Sequence, residues 1–190
     1  MSWQKSDEAP ARIAALALFD TNPGADTADR QLARDDQLDE ARAGGANGLR
    51  QLIVTRVIPS YFPDAGLRRS ASSPIDAPLQ EVVLAMAMGC GLDVLARQSA
   101  ALATRRDYWP LLPGINKQVL IGAGAHDHLC PPEQHKRMVS RMPSAEFCLI
   151  EDAGHLAPLE APSACASAIQ NLLMSLGGRA SRSTSEDARV

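Results

Sequence analysis

The chain contains the run Val119-Leu120-Ile121-Gly122-Ala123-Gly124-Ala125-His126-Asp127, in which an apolar segment passes into a glycine-rich loop and ends on a carboxylate. A second apolar segment, Phe147-Cys148-Leu149-Ile150, is followed by a loop that holds Gly154 and His155. Short, continuous apolar runs bounded by loops are typical of strands that are buried on both faces of a parallel sheet. We therefore predict two parallel strands, with Asp127 and His155 on the loops that follow them.

Asp127 and His155 together suit acid–base chemistry. In a Ser-His-Asp site the histidine takes the proton of the nucleophile, and the carboxylate orients the imidazole and stabilises the imidazolium. Open α/β sheets build their sites on the loops at the carboxyl ends of the strands. We therefore expect a carboxylate oxygen of Asp127 within about 2.6–3.2 Å of Nδ1 of His155. The alternatives are that His155 is a loop imidazole without a role and that Asp127 caps the helix that begins near Pro131.

The stretch from Val119 to Leu176 resembles the C-terminal end of the α/β-hydrolase fold. The motifs that carry this resemblance are Gly124-Ala125-His126-Asp127, Pro131-Pro132-Glu133, Gly154-His155-Leu156-Ala157-Pro158-Leu159-Glu160-Ala161-Pro162 and a closing amphipathic helix. Near the other end, Arg12 to Pro23 is similar to the strand that follows the helix after the nucleophile turn in that family. The resemblance covers about Ala9 to Leu176. It implies an α/β protein with a partial α/β-hydrolase fold, in which parallel strands have flanking helices and an inserted helical lid, and it implies that Asp127 and His155 are catalytic.

The nucleophile of that family is missing from the chain. The family places its serine in Gly-x-Ser-x-Gly at a strand-to-helix turn and orders the triad as Ser, then Asp or Glu, then His. No serine here has that frame, the glycines beside Cys90 are one residue away instead of two, and Asp93 lacks the second glycine. Because the serine should precede Ala9, we expect the chain to begin inside the helix that follows it.

The predicted organisation is a core interrupted by a helical insertion. Its parts are the C-terminal portion of the α/β-hydrolase core in residues 1–26 and 108–178, the helical lid in residues 27–107, and a polar, serine-rich, disordered tail in residues 179–190. Within the lid, Pro59 and Pro63 are expected to stop the second helix. Gly177-Gly178 is expected to end the last helix of the core.

Four further residues are candidates for smaller parts in the site. Tyr108 and Trp109 are predicted to line a substrate pocket under the lid, with plain packing as the alternative. Asp20 is a second-choice acid, although turn chemistry with Thr21-Asn22-Pro23 explains it more simply. Glu160 is expected to anchor the histidine loop through hydrogen bonds and to take no part in catalysis.

The cluster His126, His128, Cys130 and His135 raises the alternative of a metal site. Imidazole and thiolate are good zinc ligands, but the spacing of these residues matches none of the standard zinc frames. We therefore predict no metal and no cofactor.

Composition restricts the possible partners. The net charge of −3 over 190 residues gives no reason to expect nucleic acid or an anionic membrane as a partner. No apolar run approaches the roughly 20 residues that span a bilayer, and no signal-peptide pattern is present at the N-terminus. The four cysteines have no Cys-x-x-Cys spacing, so a reducing, cytoplasmic location is expected.

The sequence thus predicts a hydrolase of carboxylic esters or lactones, similar to small esterases and lactone hydrolases, that is truncated and inactive as the isolated chain. The first alternative is a relic or mis-started reading frame without the serine half. The second is a non-enzymatic module that binds a small molecule in the lid pocket. A parallel sheet that lacks its neighbouring strands exposes an edge, so self-association through that edge is also expected.

Overall fold

The sheet has three parallel strands in a computed structural model that describes residues 12–62 and 78–186. In space the strands lie in the order β1 (Ala15–Phe19), β2 (Gln118–Gly124) and β3 (Ala145–Ile150). In this register Ala15 lies opposite Gln118 and Val119 lies opposite Ala145. β2 is buried along almost its whole length, as its continuous apolar sequence predicts for a central parallel strand. The expected α/β fold with parallel strands and flanking helices is confirmed.

The described chain between β1 and β2 is mainly helical. The helices there are α1 (Ala28–Ala43), α2 (Gly48–Leu52), α3 (Ile58–Tyr61), α4 (Leu79–Cys90) and α5 (Leu92–Ala103). Short 3₁₀ segments at Gly45–Asn47 and Trp109–Gly114 precede α2 and β2. Thr27 caps α1 by accepting a hydrogen bond from the backbone N–H of Arg30 at 3.3 Å. The helical character of the insertion agrees with the sequence analysis, while its action as a lid stays a prediction.

Pro59 does not stop the second helical segment, contrary to our expectation. A π-helical turn over Ile53–Val57 joins α2 to α3, and α3 continues through Pro59 to Tyr61. The wider turn changes the hydrogen-bond ladder just before the proline, whose missing N–H then falls in the first turn of α3, where a donor is not required. Pro63 lies outside the described residues.

Three helices follow β2: α6 (Pro132–Val139), α7 (Ala157–Glu160) and α8 (Pro162–Glu186). Our prediction that Gly177-Gly178 ends the last helix is wrong, and Arg179 to Glu186 are helical where we expected a disordered tail. Glycine in a helix interior costs only about 1 kcal/mol relative to alanine. A glycine ends a helix when it adopts a left-handed conformation, and among the described glycines only Gly45 and Gly91 have positive φ.

One face of the sheet packs against α6 and the loop before β2. The buried cluster on this face consists of Leu18, Tyr108, Leu112, Ile115, Val119, Ile121, Met138 and Met142. A smaller cluster of Ile150, Ala153, Ala157 and Cys165 joins β3 to α7 and α8. These two clusters fix the carboxyl ends of β2 and β3 relative to each other, which is where the candidate site lies.

Within residues 12–62 and 78–186, no single helix is long and apolar enough to cross a membrane. The helices α4 and α5 are long and apolar enough only when they are taken together. They bend by 93° at the break between them. Gly91 lies at that break with φ of 78°, a backbone conformation that side-chain-bearing residues rarely adopt.

Candidate active site

Asp127 and His155 meet at the carboxyl end of the sheet. Asp127 lies on the loop after β2 and His155 on the loop after β3. Nδ1 of His155 lies 3.0 Å from Oδ2 and 3.1 Å from Oδ1 of Asp127. The predicted distance is therefore confirmed. This contact orients the imidazole, since a proton on Nδ1 donates to the carboxylate and leaves Nε2 as the free basic nitrogen.

The Asp127 carboxylate is held by its own loop. Its Oδ1 accepts hydrogen bonds from the backbone N–H of Leu129 at 2.8 Å and of Cys130 at 2.9 Å, and the residue is 2% exposed. Burial raises the pKa of Asp127, but the hydrogen bonds from His155 and from the two backbone amides outweigh it, so that the pKa is below its ordinary value. Asp127 therefore stays ionised beside the imidazole over the physiological pH range.

Glu160 fixes the loop that carries His155. Its two carboxylate oxygens accept hydrogen bonds from the backbone N–H groups of Gly154 and Leu156, both at 2.9 Å, and its side chain is buried. These bonds clamp the residues on either side of His155. The anchoring by hydrogen bonds that we expected of Glu160 is confirmed.

Gly124 permits the close approach of the two loops. A Cβ atom at this position would overlap the carbonyl oxygens of Gly154 and Ala153. The end of β2 therefore passes directly against the backbone beside His155, and only a residue without a side chain fits.

Asp20 is a third carboxylate at this edge, and the sequence analysis underestimated it. It follows β1 with φ of 49°, unusual for a residue other than glycine. Its carboxylate accepts hydrogen bonds from the backbone N–H of Gly124 at 3.1 Å and of Ala157 at 2.9 Å. Burial raises the pKa of Asp20 to about 6, even though those two hydrogen bonds lower it. Asp20 thus bridges the loops after β2 and β3, a role beyond the turn chemistry that we predicted.

Tyr61 is a neighbour of His155 that the sequence analysis missed. The two ring centroids lie 5.2 Å apart, and the carbonyl oxygen of Tyr61 accepts a hydrogen bond of 3.5 Å from the backbone N–H of His155. No local signal marks Tyr61, because it ends a helix in the insertion, far from His155 in sequence. Its position joins the helical insertion to the histidine loop.

The structure places His135 and His128, two of the residues considered as zinc ligands, in different surroundings. His135 is fully buried, with Nε2 accepting from the backbone N–H of Thr21 at 3.0 Å and Nδ1 lying 3.1 Å from the carbonyl oxygen of Pro131. Both ring nitrogens are thus in use, and burial lowers the pKa of His135, so that it stays neutral. His128 is exposed.

A different trio, Asp127, Cys130 and His155, places possible metal-ligand atoms within 4.8 Å of one another. Burial raises the pKa of the Cys130 thiol to about 12, so the thiolate that metals prefer is disfavoured. Asp127 and His155 are already partners in a hydrogen bond, so the proximity of these two groups does not require a metal ion.

Two cavities adjoin Tyr61. The first, of about 330 Å³, is lined largely by apolar side chains of the helical insertion, among them Leu38, Leu52, Ile53 and Val83. The second, of about 500 Å³, is polar and includes Asp20, Cys130 and His155 in its lining. The apolar cavity thus shares Tyr61 with the polar cavity, whose lining includes His155.

Tyr108 and Trp109, the predicted substrate contacts, belong to neither described lining. Tyr108 is 4% exposed and packs in the main core cluster. Trp109 packs against that cluster, and the guanidinium carbons of Arg137 and Arg141 lie 4.9 and 5.4 Å from its ring centroid. Both contacts fit the packing alternative, and a part in substrate binding stays a prediction.

No family model and no curated protein sequence matches this chain. Solved structures do match it. An esterase from Thermogutta terrifontis is 24% identical, with a TM-score of 0.76, and the match covers 92% of this chain and 61% of that one. An enol-lactonase from Burkholderia xenovorans is 20% identical, with a TM-score of 0.73 and coverage of 90% and 60%. A hydrolase from Pseudomonas aeruginosa is 23% identical, with a TM-score of 0.72 and coverage of 90% and 59%.

These likenesses establish the fold. An α/β-hydrolase enzyme from a deep-sea metagenome library matches with a TM-score of 0.67. The chain spans 59% to 61% of the length of the first three structures. The described residues therefore have part of the α/β-hydrolase fold, as the sequence resemblance implied.

Proposed function

We propose that the chain carries the acid and the base of a carboxylic ester or lactone hydrolase, with Asp127 as the acid and His155 as the base. The observation that carries the proposal is the contact of 3.0 Å between the Asp127 carboxylate and Nδ1 of His155, on adjacent loops of a hydrolase-like sheet. The esterase and the enol-lactonase among the structural matches support this reaction class.

The chemistry follows from the orientation of the imidazole. With Nδ1–H directed at Asp127, Nε2 of His155 takes the proton of a serine hydroxyl as its oxygen bonds to the ester carbonyl carbon. The tetrahedral intermediate then collapses, the bond to the leaving alcohol breaks, and Nε2 returns the proton to that alcohol. Water hydrolyses the acyl-enzyme in the same two proton steps. Asp127 stabilises the imidazolium in each step.

The serine and the oxyanion donors are assigned to a segment outside these 190 residues. No serine in the sequence has the Gly-x-Ser-x-Gly frame, and no described residue hydrogen-bonds to Nε2 of His155. The oxyanion hole of such enzymes uses the backbone N–H after the nucleophile and one from an earlier loop. The isolated chain is therefore proposed to be truncated and inactive.

The apolar cavity favours a second candidate function. Its walls are built by described residues of the helical insertion, without any contribution from a nucleophile segment. A chain of this kind can bind a small apolar molecule without turning it over. We keep non-enzymatic binding as the alternative, and with it the cytoplasmic location, which the free thiols of Cys90, Cys130, Cys148 and Cys165 support.

The test begins with the DNA upstream of Met1. An in-frame Gly-x-Ser-x-Gly there, followed by expression of the longer product, should give hydrolysis of short-chain aryl esters. His155→Ala should lower kcat by at least about 10³-fold, since triad residues act as a unit. His128→Ala, which removes an exposed imidazole, serves as the matched control and should leave kcat unchanged.

The 190-residue chain should show no rate above buffer in the same assay. An upstream region without the motif, or a longer product that keeps its rate after His155→Ala, would contradict the hydrolase proposal. A saturable rate of the short chain that His155→Ala abolishes would instead show that another group, such as Cys90, replaces the serine.

A further inference from the structure

The polar cavity beside His155 has an unusual charge distribution. Its lining includes four arginines, Arg30, Arg34, Arg56 and Arg105. The whole chain has a net charge of −3, so a concentration of four arginines at one cavity is a local departure from the composition. The question is whether neighbouring carboxylates neutralise these charges.

Two of the four arginines, Arg34 and Arg105, share the single carboxylate of Asp26. Nε of Arg34 lies 2.8 Å from Oδ2 of Asp26, and a terminal nitrogen of Arg105 lies 3.8 Å from Oδ1 of the same residue. Arg30 makes no ion pair with a described residue. Asp26 and Asp20 are the two carboxylates of the lining, and each neutralises one guanidinium, so Arg30, Arg34 and Arg105 together keep an excess of one positive charge.

The Arg105 pairing is also incomplete. Its Nε atom is buried and has no hydrogen-bond acceptor among the described residues, and Oδ1 of Asp26 has no donor. Arg56 differs, because it pairs with Glu40 at 3.3 Å and both side chains are more than half exposed. The guanidinium groups that have donors left for a ligand are therefore those of Arg30 and Arg105.

This charge acts on the candidate site. Burial and the negative charges of Asp127 and Asp20 raise the pKa of the Cys130 thiol to about 12, and the positive charges of Arg30 and Arg105 oppose that rise. Cys130 itself places its sulfur within 4.8 Å of ligand atoms of Asp127 and His155. The arginine group is thus within electrostatic reach of the acid–base pair, and His155 lines the same cavity.

We propose that the polar cavity is a subsite for a carboxylate group of the substrate, held by Arg30 and Arg105. The substrate class is then an ester or lactone that carries a free carboxylate away from the bond that is cut, and this part of the assignment rests on the proposed function. The planar guanidinium presents paired donors that match the two oxygens of a carboxylate. A singly charged carboxylate fits better than a phosphate, because Asp20 and Asp26 in the same lining repel a second negative charge.

The test measures binding to the 190-residue chain and needs no turnover. Hexanoate and the uncharged isostere hexanamide are titrated at low ionic strength, followed by backbone amide NMR shifts. Hexanoate should bind at least tenfold more tightly, with shifts at the arginine-lined cavity, and 0.5 M salt should remove the preference. Inorganic phosphate is the third probe, and it should bind more weakly than hexanoate.

Arg30→Gln is the deciding variant, because Arg30 is exposed and its replacement should leave the fold intact. It should weaken hexanoate binding at least fivefold and leave hexanamide binding unchanged. Arg105→Gln should act in the same direction, with circular dichroism to verify its fold. The matched control is Arg42→Gln, an exposed arginine paired with Asp39 outside the cavity, which should have no effect.

Equal affinities for hexanoate and hexanamide, no binding of hexanoate, an unchanged affinity in Arg30→Gln, or tighter binding of phosphate would each overturn the proposal. The outcome is separable from that of the hydrolase assay. A chain that prefers hexanoate while the longer product hydrolyses no ester would keep the carboxylate site and reject the hydrolase. A longer product that hydrolyses neutral and carboxylate-bearing esters with equal kcat/KM would keep the hydrolase and reject the subsite.

Discussion

The Asp127 carboxylate lies 3.0 Å from Nδ1 of His155, although the two residues are 28 positions apart in the chain. The contact exists because β2 and β3 are parallel neighbours, so that the loops after them emerge at the same edge of the sheet. Glu160 and the backbone amides of Leu129 and Cys130 then hold the two side chains in place. The geometry can therefore be tested through stability as well as through activity.

Asp127→Asn should destabilise the chain in a pH-dependent way. The variant loses charged hydrogen bonds to His155 and to two amides, at a cost of about 1–3 kcal/mol near pH 7. Because the pKa of Asp127 is lowered on folding, its charged form adds stability above about pH 4, and that stability is lost as the pH falls further. Urea denaturation at pH 7 and pH 3 should show a smaller difference from wild type at pH 3. Asp152→Asn, at an exposed position, is the control, and an equal loss at both pH values would contradict the prediction.

Glu160→Gln should loosen the histidine loop. The amide group of glutamine has one acceptor oxygen in place of two, so the N–H of either Gly154 or Leu156 loses its partner, at a cost of about 1–3 kcal/mol. Hydrogen exchange at these two amides should accelerate, and urea denaturation should give the loss of stability. Glu133→Gln is the matched control, since that side chain is exposed. Unchanged exchange at both amides would show that the clamp is unimportant.

Asp20→Asn should change the pH dependence of folding stability in the direction opposite to that of Asp127→Asn. Because the folded state raises the pKa of Asp20 to about 6, the stability due to the protonated form is present below about pH 4 and is lost as the pH rises to about 6. After allowance for partial solvent screening, this loss is about 1–2 kcal/mol in the wild type and absent in the variant. The stability advantage of the wild type over Asp20→Asn should therefore shrink between pH 4 and 6. Asp36→Asn in α1 is the control, and an advantage that grows over this interval would refute the assignment.

Gly124→Ala and Gly89→Ala should have opposite effects. A Cβ at Gly124 would overlap the carbonyl oxygens of Gly154 and Ala153, so the two loops must separate, at a cost of about 1–3 kcal/mol. At Gly89, inside α4, a Cβ meets nothing within 4 Å. There the better helix propensity of alanine should stabilise by about 0.5–1 kcal/mol. Thermal denaturation of both variants measures the effects, and a harmless Gly124→Ala would argue against the close approach of the loops.

The free edge of β1 should promote self-association. Among the described residues β1 pairs with β2 alone, so one row of its backbone N–H and C=O groups has no strand partner. Light scattering over a concentration series should show a mass that rises above the monomer. Ala17→Lys places a charge at an exposed position of that strand and should reduce the association. A compact monomer at every concentration would count against this prediction and against the truncation proposal.

Local patterns in the sequence were sufficient to predict the strands, the helical insertion between them and the pairing of Asp127 with His155. Continuous apolar runs identify buried parallel strands, because both of their faces need apolar contacts. Once two such strands are neighbours, the residues at their carboxyl ends must converge. The errors at Pro59 and at Gly177-Gly178 have one cause: a residue that disfavours helix is tolerated where the hydrogen bonding is adjusted around it or where the cost is small.

Contacts between distant segments were decided by the tertiary structure alone. Asp20 has the signals of an ordinary turn residue, and only the packing of β1 beside β2 directs its carboxylate to the amides of Gly124 and Ala157. Tyr61 contacts His155, and Arg30 and Arg105 line one cavity, because segments far apart in sequence pack beside one another. Periodicity reports which face of an element is buried, whereas the partner on that face depends on how the elements pack in three dimensions.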